Sequence, residues 1–266
     1  MSNSSFFQKC DFHIHSNRSP CAKSEMSVGS IVGACREQRI GLVGISDHIF
    51  SFTDTRILAQ TRTELAEIEA PPKLFLGCEA DVLDVGKHLV TEEMKSSLDF
   101  IAVSANHFHV DSVSAPPEGD ARAAALHMLD MFRYACSLDF VDIVVHPMMI
   151  VAGPWDPNCM ELLTDDEIND ALKLARQNDV AIELSPRSLA PEQYEFRLRF
   201  LSLCRDKGLK FSIGSDAHHL CSIGRTDALE PLIRELGIGA DEIWLPSACK
   251  GLGETTEFSG RAAELK

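Results

Sequence analysis

The residues able to do chemistry in this chain recur at one kind of place. His13 and His15 are two apart in DFHIHS, so on an extended strand both side chains leave the same face. Asp47 and His48 follow the apolar run LVGIS, Glu79 follows LFLGC, and His107 comes just after FIAVS. His146 follows VDIVV and precedes Pro147; Asp216 and His218, again two apart, come after FSIG. Imidazole nitrogen and carboxylate oxygen are ordinary ligands of zinc, manganese and iron, whereas calcium and magnesium prefer oxygen cages. A lone His-x-His or Asp-His arises readily by chance or as a helix cap. Recurrence at successive strand ends does not, and such groups brought together without a cation leave costly unpaired polar atoms. A site for more than one divalent metal is therefore expected. His88, His109, His127 and His219 lack this placement, although His109 and His219 neighbour ligand candidates and are candidates for substrate binding.

The elements that must carry these residues are short apolar runs alternating with helical segments. Strands are expected near 10–15, 42–46, 74–78, 100–104, 141–145, 180–184 and 211–214, with a weaker one near 242–246. Near-continuous apolar runs mark parallel strands buried on both faces. Thr164 and Glu167 have capping-box spacing ahead of a helix whose buried stripe is Ile168, Ala171, Leu172 and Ala175. Phe196, Phe200, Leu203 and Cys204 make a similar stripe before Gly208; 56–69 and 120–138 are helical by composition. The alternation predicts an α/β fold with a parallel sheet, open or closed into a barrel, whose C-terminal strand ends gather at one rim. Residues 1–250 are expected to form one domain, and 251–266 a loose C-terminal tail. The long segments at about 108–120 and 148–161 follow strands, where loops serve as lids or pocket walls.

Composition narrows the partners. With 25 Lys and Arg against 40 Asp and Glu, the formal charge of −15 disfavours extended nucleic acid and anionic membranes. An anionic substrate stays open, because bound cations reverse the local sign. No apolar stretch is long enough to span a membrane, and the first ten residues lack the pattern of a signal peptide. Nine cysteines, odd in number and never in a CxxC, read as reduced thiols of a cytoplasmic protein. The sequence leaves the oligomeric state open.

Taken in order, DFHIHS, GISDH, GCEADV, the Ser-containing turn before His107, VVHP and GSDAH resemble the motifs of the polymerase and histidinol phosphatase (PHP) family over about residues 10–225. The resemblance implies a distorted seven-stranded (β/α) barrel, TIM-like, holding two or three divalent ions (Mn, Zn or Fe) and hydrolysing phosphate esters. Carried over by position, it gives one ion to His13, His15, Glu79 and Asp216, with Glu79 bridging to a second held by His107 and His146. A third would use His48, His218 and the residue six after His15. That residue is Cys21 where many members have His, and a thiolate suits zinc better than manganese. Asp11 and Asp47 would orient imidazoles. The spacing SANH before His107 is one residue longer than the usual pattern.

The resulting expectation is a metal-dependent phosphoesterase that uses a metal-activated hydroxide on a small phosphorylated metabolite or nucleotide, histidinol phosphate being one candidate. His48, His218 and Asp216 are the candidate catalytic groups. Arg187 in ELSPR, and Arg18 in the first loop, are the candidate phosphate clamps, with Arg225 a weaker one. An amidohydrolase-type hydrolase of C–N or carboxyl ester bonds also begins with His-x-His, but typically uses a modified lysine in mid-barrel. The non-enzymatic alternative is a metal-binding barrel module, which the nearly complete ligand set disfavours.

Overall fold

The computed structural model describes residues 10–51, 55–68, 72–150 and 152–249; the expected tail at 251–266 and the first nine residues lie outside them. In chain order the elements are β1 (Cys10–Ile14), α1 (Val28–Glu37), β2 (Leu42–Ile45), β3 (His48–Ile49), α2 (Thr55–Ala66), β4 (Lys73–Leu76), β5 (Glu79–Asp84), β6 (Lys87–His88), α3 (Glu92–Ser97) and β7 (Ala102–Ser104). They continue as α4 (Ala121–Ser137), β8 (Ile143–Val144), α5 (Asp165–Gln177), β9 (Ala181–Leu184), α6 (Tyr194–Asp206), β10 (Phe211–Ile213) and α7 (Glu230–Leu236). The capping box at Thr164 and Glu167 forms as the spacing predicts. No described helix is long and apolar enough to cross a membrane.

Two parallel sheets result. One has the order β1-β2-β4; the other runs β10-β9-β8-β7-β5-β3, with β6 pairing antiparallel to β5. They are two halves of the same strands. β2 and β3 are separated only by Ser46 and Asp47, and β4 and β5 only by Gly77 and Cys78. Backbone bonds carry the pairing across the interruption, Gly77 N–H donating to Ile45 O (2.8 Å) and Glu79 N–H to Asp47 O (3.0 Å), and the Phe100 ring fills the space beside Gly44 and Gly77 where a side chain would stand. Phe100 and Phe12 also meet Trp244 edge-on, at ring separations of 5.8 and 5.4 Å.

The expected α/β fold with parallel strands is present, and among the described residues the ladders do not close into one barrel. Only a seam links the first strand to the last. Ile14 bridges Ala217, with His15 N–H donating to Ala217 O (3.0 Å) and Ala217 N–H to His13 O (3.3 Å). The weak strand near 242–246 is absent. Residues 240–242 form a 3₁₀ turn, and only Ile243 bridges Phe211.

Candidate metal centre

Pairing register brings the ligands together. β3 lies on β5 with His48 opposite Glu79, and β5 lies on β7 with Glu79 opposite Ala102. Glu79 thereby sits in the middle of the cluster, wholly buried, with histidines around both oxygens. Oε2 is 3.2 Å from His13 Nε2, 3.4 Å from His15 Nε2 and 3.0 Å from His48 Nδ1. Oε1 is 2.9 Å from His146 Nε2 and 3.4 Å from His107 Nε2. Asp216 Oδ1 completes the other side, 3.6 Å from His13 Nε2 and 3.3 Å from His15 Nε2. His146 and Asp216 have positive φ angles of 30° and 53°, a backbone state that costs non-glycine residues about 1–3 kcal/mol and concentrates at functional sites.

Four of the imidazoles are aimed by what holds their outer nitrogen. His13 Nδ1–H donates to Glu183 Oε1 (2.5 Å), His107 Nδ1–H to Asp81 Oδ1 (2.7 Å) and His146 Nδ1–H to Asn106 Oδ1 (2.9 Å). His15 Nδ1–H reaches Ser19 Oγ (3.3 Å), whose hydroxyl donates to Asp47 (2.8 Å). An acceptor on Nδ1 leaves the Nε2 lone pair pointing inward. Inside, those lone pairs face one another and the carboxylates: His13 and His15 Nε2 are 3.0 Å apart. His48 Nδ1 is buried and has no hydrogen-bond partner.

Nitrogen and oxygen lone pairs at these separations repel unless a cation lies among them. Without a metal, protons must take that role. Burial lowers the pKa of His13, but Glu183, Asp216 and Glu79 outweigh it and hold the ring well above the ordinary imidazole value. Glu79 is held well below the carboxylate range: burial raises it, and His48, His13 and His107 outweigh that. His48 goes the other way, pushed down to about 2 chiefly by burial, and is neutral. The residues therefore fit divalent metals with mixed nitrogen and oxygen ligation. Four groups of donor atoms converge within 4.8 Å: His13, His15, Asp216; His13, Glu79, His146; His48, Glu79, His107; and His15, His48, His218. Cys21 is in none of them, its Sγ lying 3.1 Å from His218 Nε2, and burial foremost keeps it a thiol with a pKa of about 11.

Some expected roles change. Asp11 orients no imidazole; it accepts from the backbone N–H groups of His13, Ser215 and Gly224 and ties β1 to the segment after β10. Asp47 acts on His15 only through Ser19, and otherwise accepts from Ser16 N–H and Oγ–H. Arg18 turns away from the cluster to pair with Glu64 on α2. Arg187 pairs through Nε with Asp216 Oδ2 at the mouth, beside the ligands. His109 and His219 are exposed, the His109 ring 5.4 Å from that of His107. His127 meets Ser114 O, and His88 packs by Tyr134 and Phe140, both outside the cluster.

Three contributors went unread in the sequence. Asn106 explains the longer spacing SANH: its amide donates to the carbonyls of His146 and Met149 while its oxygen holds His146 Nδ1. Asp81 is two residues beyond Glu79 on the same strand, and that period-two spacing was the available signal. Glu183, 1% exposed, is the one charge in the apolar strand VAIEL.

No family model matches the chain. Among curated proteins it is 27% identical over 166 residues to a "probable phosphatase" of Caldicellulosiruptor saccharolyticus, covering 61% of this chain and 60% of that one. A second, of Clostridium acetobutylicum, is 23% identical over 193 residues, covering 69% and 70%. A third, of Acetivibrio thermocellus, is 23% identical over 238 residues, covering 85% and 86%. The match thus spans under two thirds of the first relative's length. Among solved structures, the histidinol phosphate phosphatase of Lactococcus lactis, complexed with zinc, L-histidinol and phosphate, superposes with a TM-score of 0.58. It is 16% identical, covering 86% of this chain and 94% of that one, a likeness of fold. Phosphatase-named relatives in sequence and a histidinol phosphatase in fold bear out the resemblance to the PHP family that the ordered motifs carry.

Proposed function

We propose that this chain is a metal-dependent phosphatase acting on small phosphate esters, with histidinol phosphate and nucleotides in range. One observation carries the reading: the Glu79 carboxylate stands within 2.9–3.4 Å of the inward nitrogens of five imidazoles, and Arg187 stands at their mouth. When bound, the metals supply positive charge for the phosphoryl oxygens and acidify water toward neutrality. His13, His15, Glu79 and Asp216, and Glu79 with His107, His146 and His48, would hold two ions; His218 with His15 and His48 offers a third position. Zinc, manganese or iron suit this donor set.

Arg187, tethered to Asp216, is placed to fork onto a phosphate through its remaining nitrogens. His48 is buried and neutral, so it is suited to hold a cation rather than to protonate a leaving group. His218 is partly exposed, with Nδ1 2.9 Å from the Asp216 carbonyl, and is the histidine able to exchange a proton with solvent and substrate. The group standing between the two sets of donors is a carboxylate, Glu79, which favours phosphoester over amidohydrolase chemistry. The two sheets joined at the β1 seam act as a broken seven-stranded (β/α) barrel, and the absence of disulfides among nine cysteines fits a reducing cytoplasm.

The test is a panel of phosphate monoesters, diesters, lactones and amides, run on protein of measured metal content. Monoester hydrolysis that is abolished by a chelator and restored by Zn or Mn is expected. Asp216→Ala should lose both metal and activity while keeping its fold. Amide or lactone hydrolysis without phosphatase activity would overturn the proposal.

A further inference from the structure

Glu183 lies outside the ordered motifs that carry the family resemblance, yet it touches both halves of the cluster. Its Oε1 accepts from His13 Nδ1–H at 2.5 Å, and its Oε2 accepts from the backbone N–H of His146 at 2.8 Å. It is buried on β9 between β8, which leads into His146, and β10, which leads into Asp216. The space around it is shaped to fit. A methyl on Gly214 would stand 2.6 Å from Glu183 Oε1 and 2.5 Å from His13 Cβ, so the glycine of GSDAH is what lets carboxylate and imidazole meet. The His146 turn is pinned from the other side as well. The wholly buried Arg197 donates to the carbonyl of Pro147, next to the left-handed His146.

A carboxylate has acceptors only, so both of its contacts here require a donor. His13 must then carry a proton on Nδ1, so that when a cation is bound and the ring is neutral its Nε2 is free toward Glu79 and Asp216. The same side chain fixes where the left-handed His146 backbone starts. His13 and His146 belong to the two positions that Glu79 joins from the other end.

We infer that Glu183 is a positioning residue that sets the tautomer of His13 and the placement of His146 with one carboxylate, and so couples the two metal positions. The inference rests on the metal-centre reading above. It predicts that the two positions load together and weaken together.

The experiment compares wild type with Glu183→Gln, loaded with Zn(II) or Co(II). Glutamine keeps the shape but has one acceptor and one donor group, so either His13 or His146 N–H faces another donor. Affinity measured by chelator competition should fall about 10- to 100-fold at both positions, and the visible bands of the Co(II) protein should shift. The melting temperature of the metal-free variant should stay close to wild type. Unchanged affinity and bands would overturn the inference, as would a lowered metal-free melting temperature with metal affinity intact. Should Glu183→Gln fail to fold, nitrogen-15 correlation spectra of the Zn(II)-loaded wild type decide: protonated Nδ1 on His13 supports the inference and protonated Nε2 overturns it. Wild type that binds two ions but cleaves no phosphate ester would sink the proposed function while leaving this inference to stand or fall on affinity.

Discussion

Replacing Gly214 by alanine tests the centre without replacing a ligand. Gly214 does not require a left-handed backbone, so the substitution acts through its methyl group alone. That methyl would meet His13 Cβ at 2.5 Å and Glu183 Oε1 at 2.6 Å, against ordinary contact from 3.4 Å, so the neighbours must give way by roughly 1 Å. Neither can do so cheaply. His13 is fixed in β1, and Glu183 is held at both oxygens. Overpacking of this kind costs about 1–3 kcal/mol. At roughly 2–4 °C per kcal/mol for a chain of this size, melting should fall by roughly 2 to 12 °C. A 1 Å displacement of Nε2 also exceeds the ~0.2 Å tolerance of a metal–nitrogen bond, so metal affinity should fall at least about tenfold. Calorimetry of metal-free protein and chelator competition on loaded protein read the two effects separately. Gly33→Ala is the control: a methyl there meets nothing within 4 Å on α1, and stability should rise by about 0.5–1 kcal/mol. A Gly214→Ala protein that melts within a degree of wild type and binds metal as tightly would refute the packing argument.

Arg187→Ala should raise KM or lower kcat for phosphate esters about tenfold or more, with Arg187→Lys recovering only part; equal kinetics in all three would remove the arginine from substrate binding. Cys21→Ser should leave metal stoichiometry at the wild-type value, because the thiol stands in none of the converging donor groups; loss of one ion on elemental analysis would make it a ligand. Glu167 is pulled from its ordinary 4.5 to about 2, first by the hydrogen bond from Arg122 and then by Thr164 N–H. A depressed folded-state pKa stabilises above the ordinary value and is lost as pH falls from about 4.5 toward 2. Glu167→Gln should therefore melt lower than wild type at pH 7, with the gap narrowing below pH 4.5; a gap constant with pH would contradict the capping argument.

The ligands were legible because each stands at the end of an apolar run, and parallel strands bring such ends together whatever lies between. What escaped depended on contacts distant in sequence. The Phe100 ring lies where side chains at 44 and 77 would stand, so both positions hold glycine. The helix at Val28–Glu37 carries Gly29, Gly33 and β-branched residues of poor propensity, and forms by burying Val28, Ile31, Val32 and Cys35 behind the Ser27 cap. The family resemblance implied Asp11 as a partner for imidazole; three backbone N–H groups claim it instead. Glu183 was visible as a lone charge in a buried strand, but its partner His13 lies 170 residues away.

The seam between β1 and the segment after β10 has a consequence for amide exchange. It consists of one bridge, with the N–H groups of His15 and Ala217 as its two bonds, and His13, His15, Asp216 and His218 flank it. A cation shared by ligands on both sides spans the seam. Opening it far enough for solvent deuterium to reach those two amides then requires releasing the ion. Their exchange should slow by a factor of 1 + [M]/Kd relative to metal-free protein, while amides within α5 keep their metal-free rates. Two backbone protons thus become a gauge of how fully the centre is loaded, readable with no substrate present.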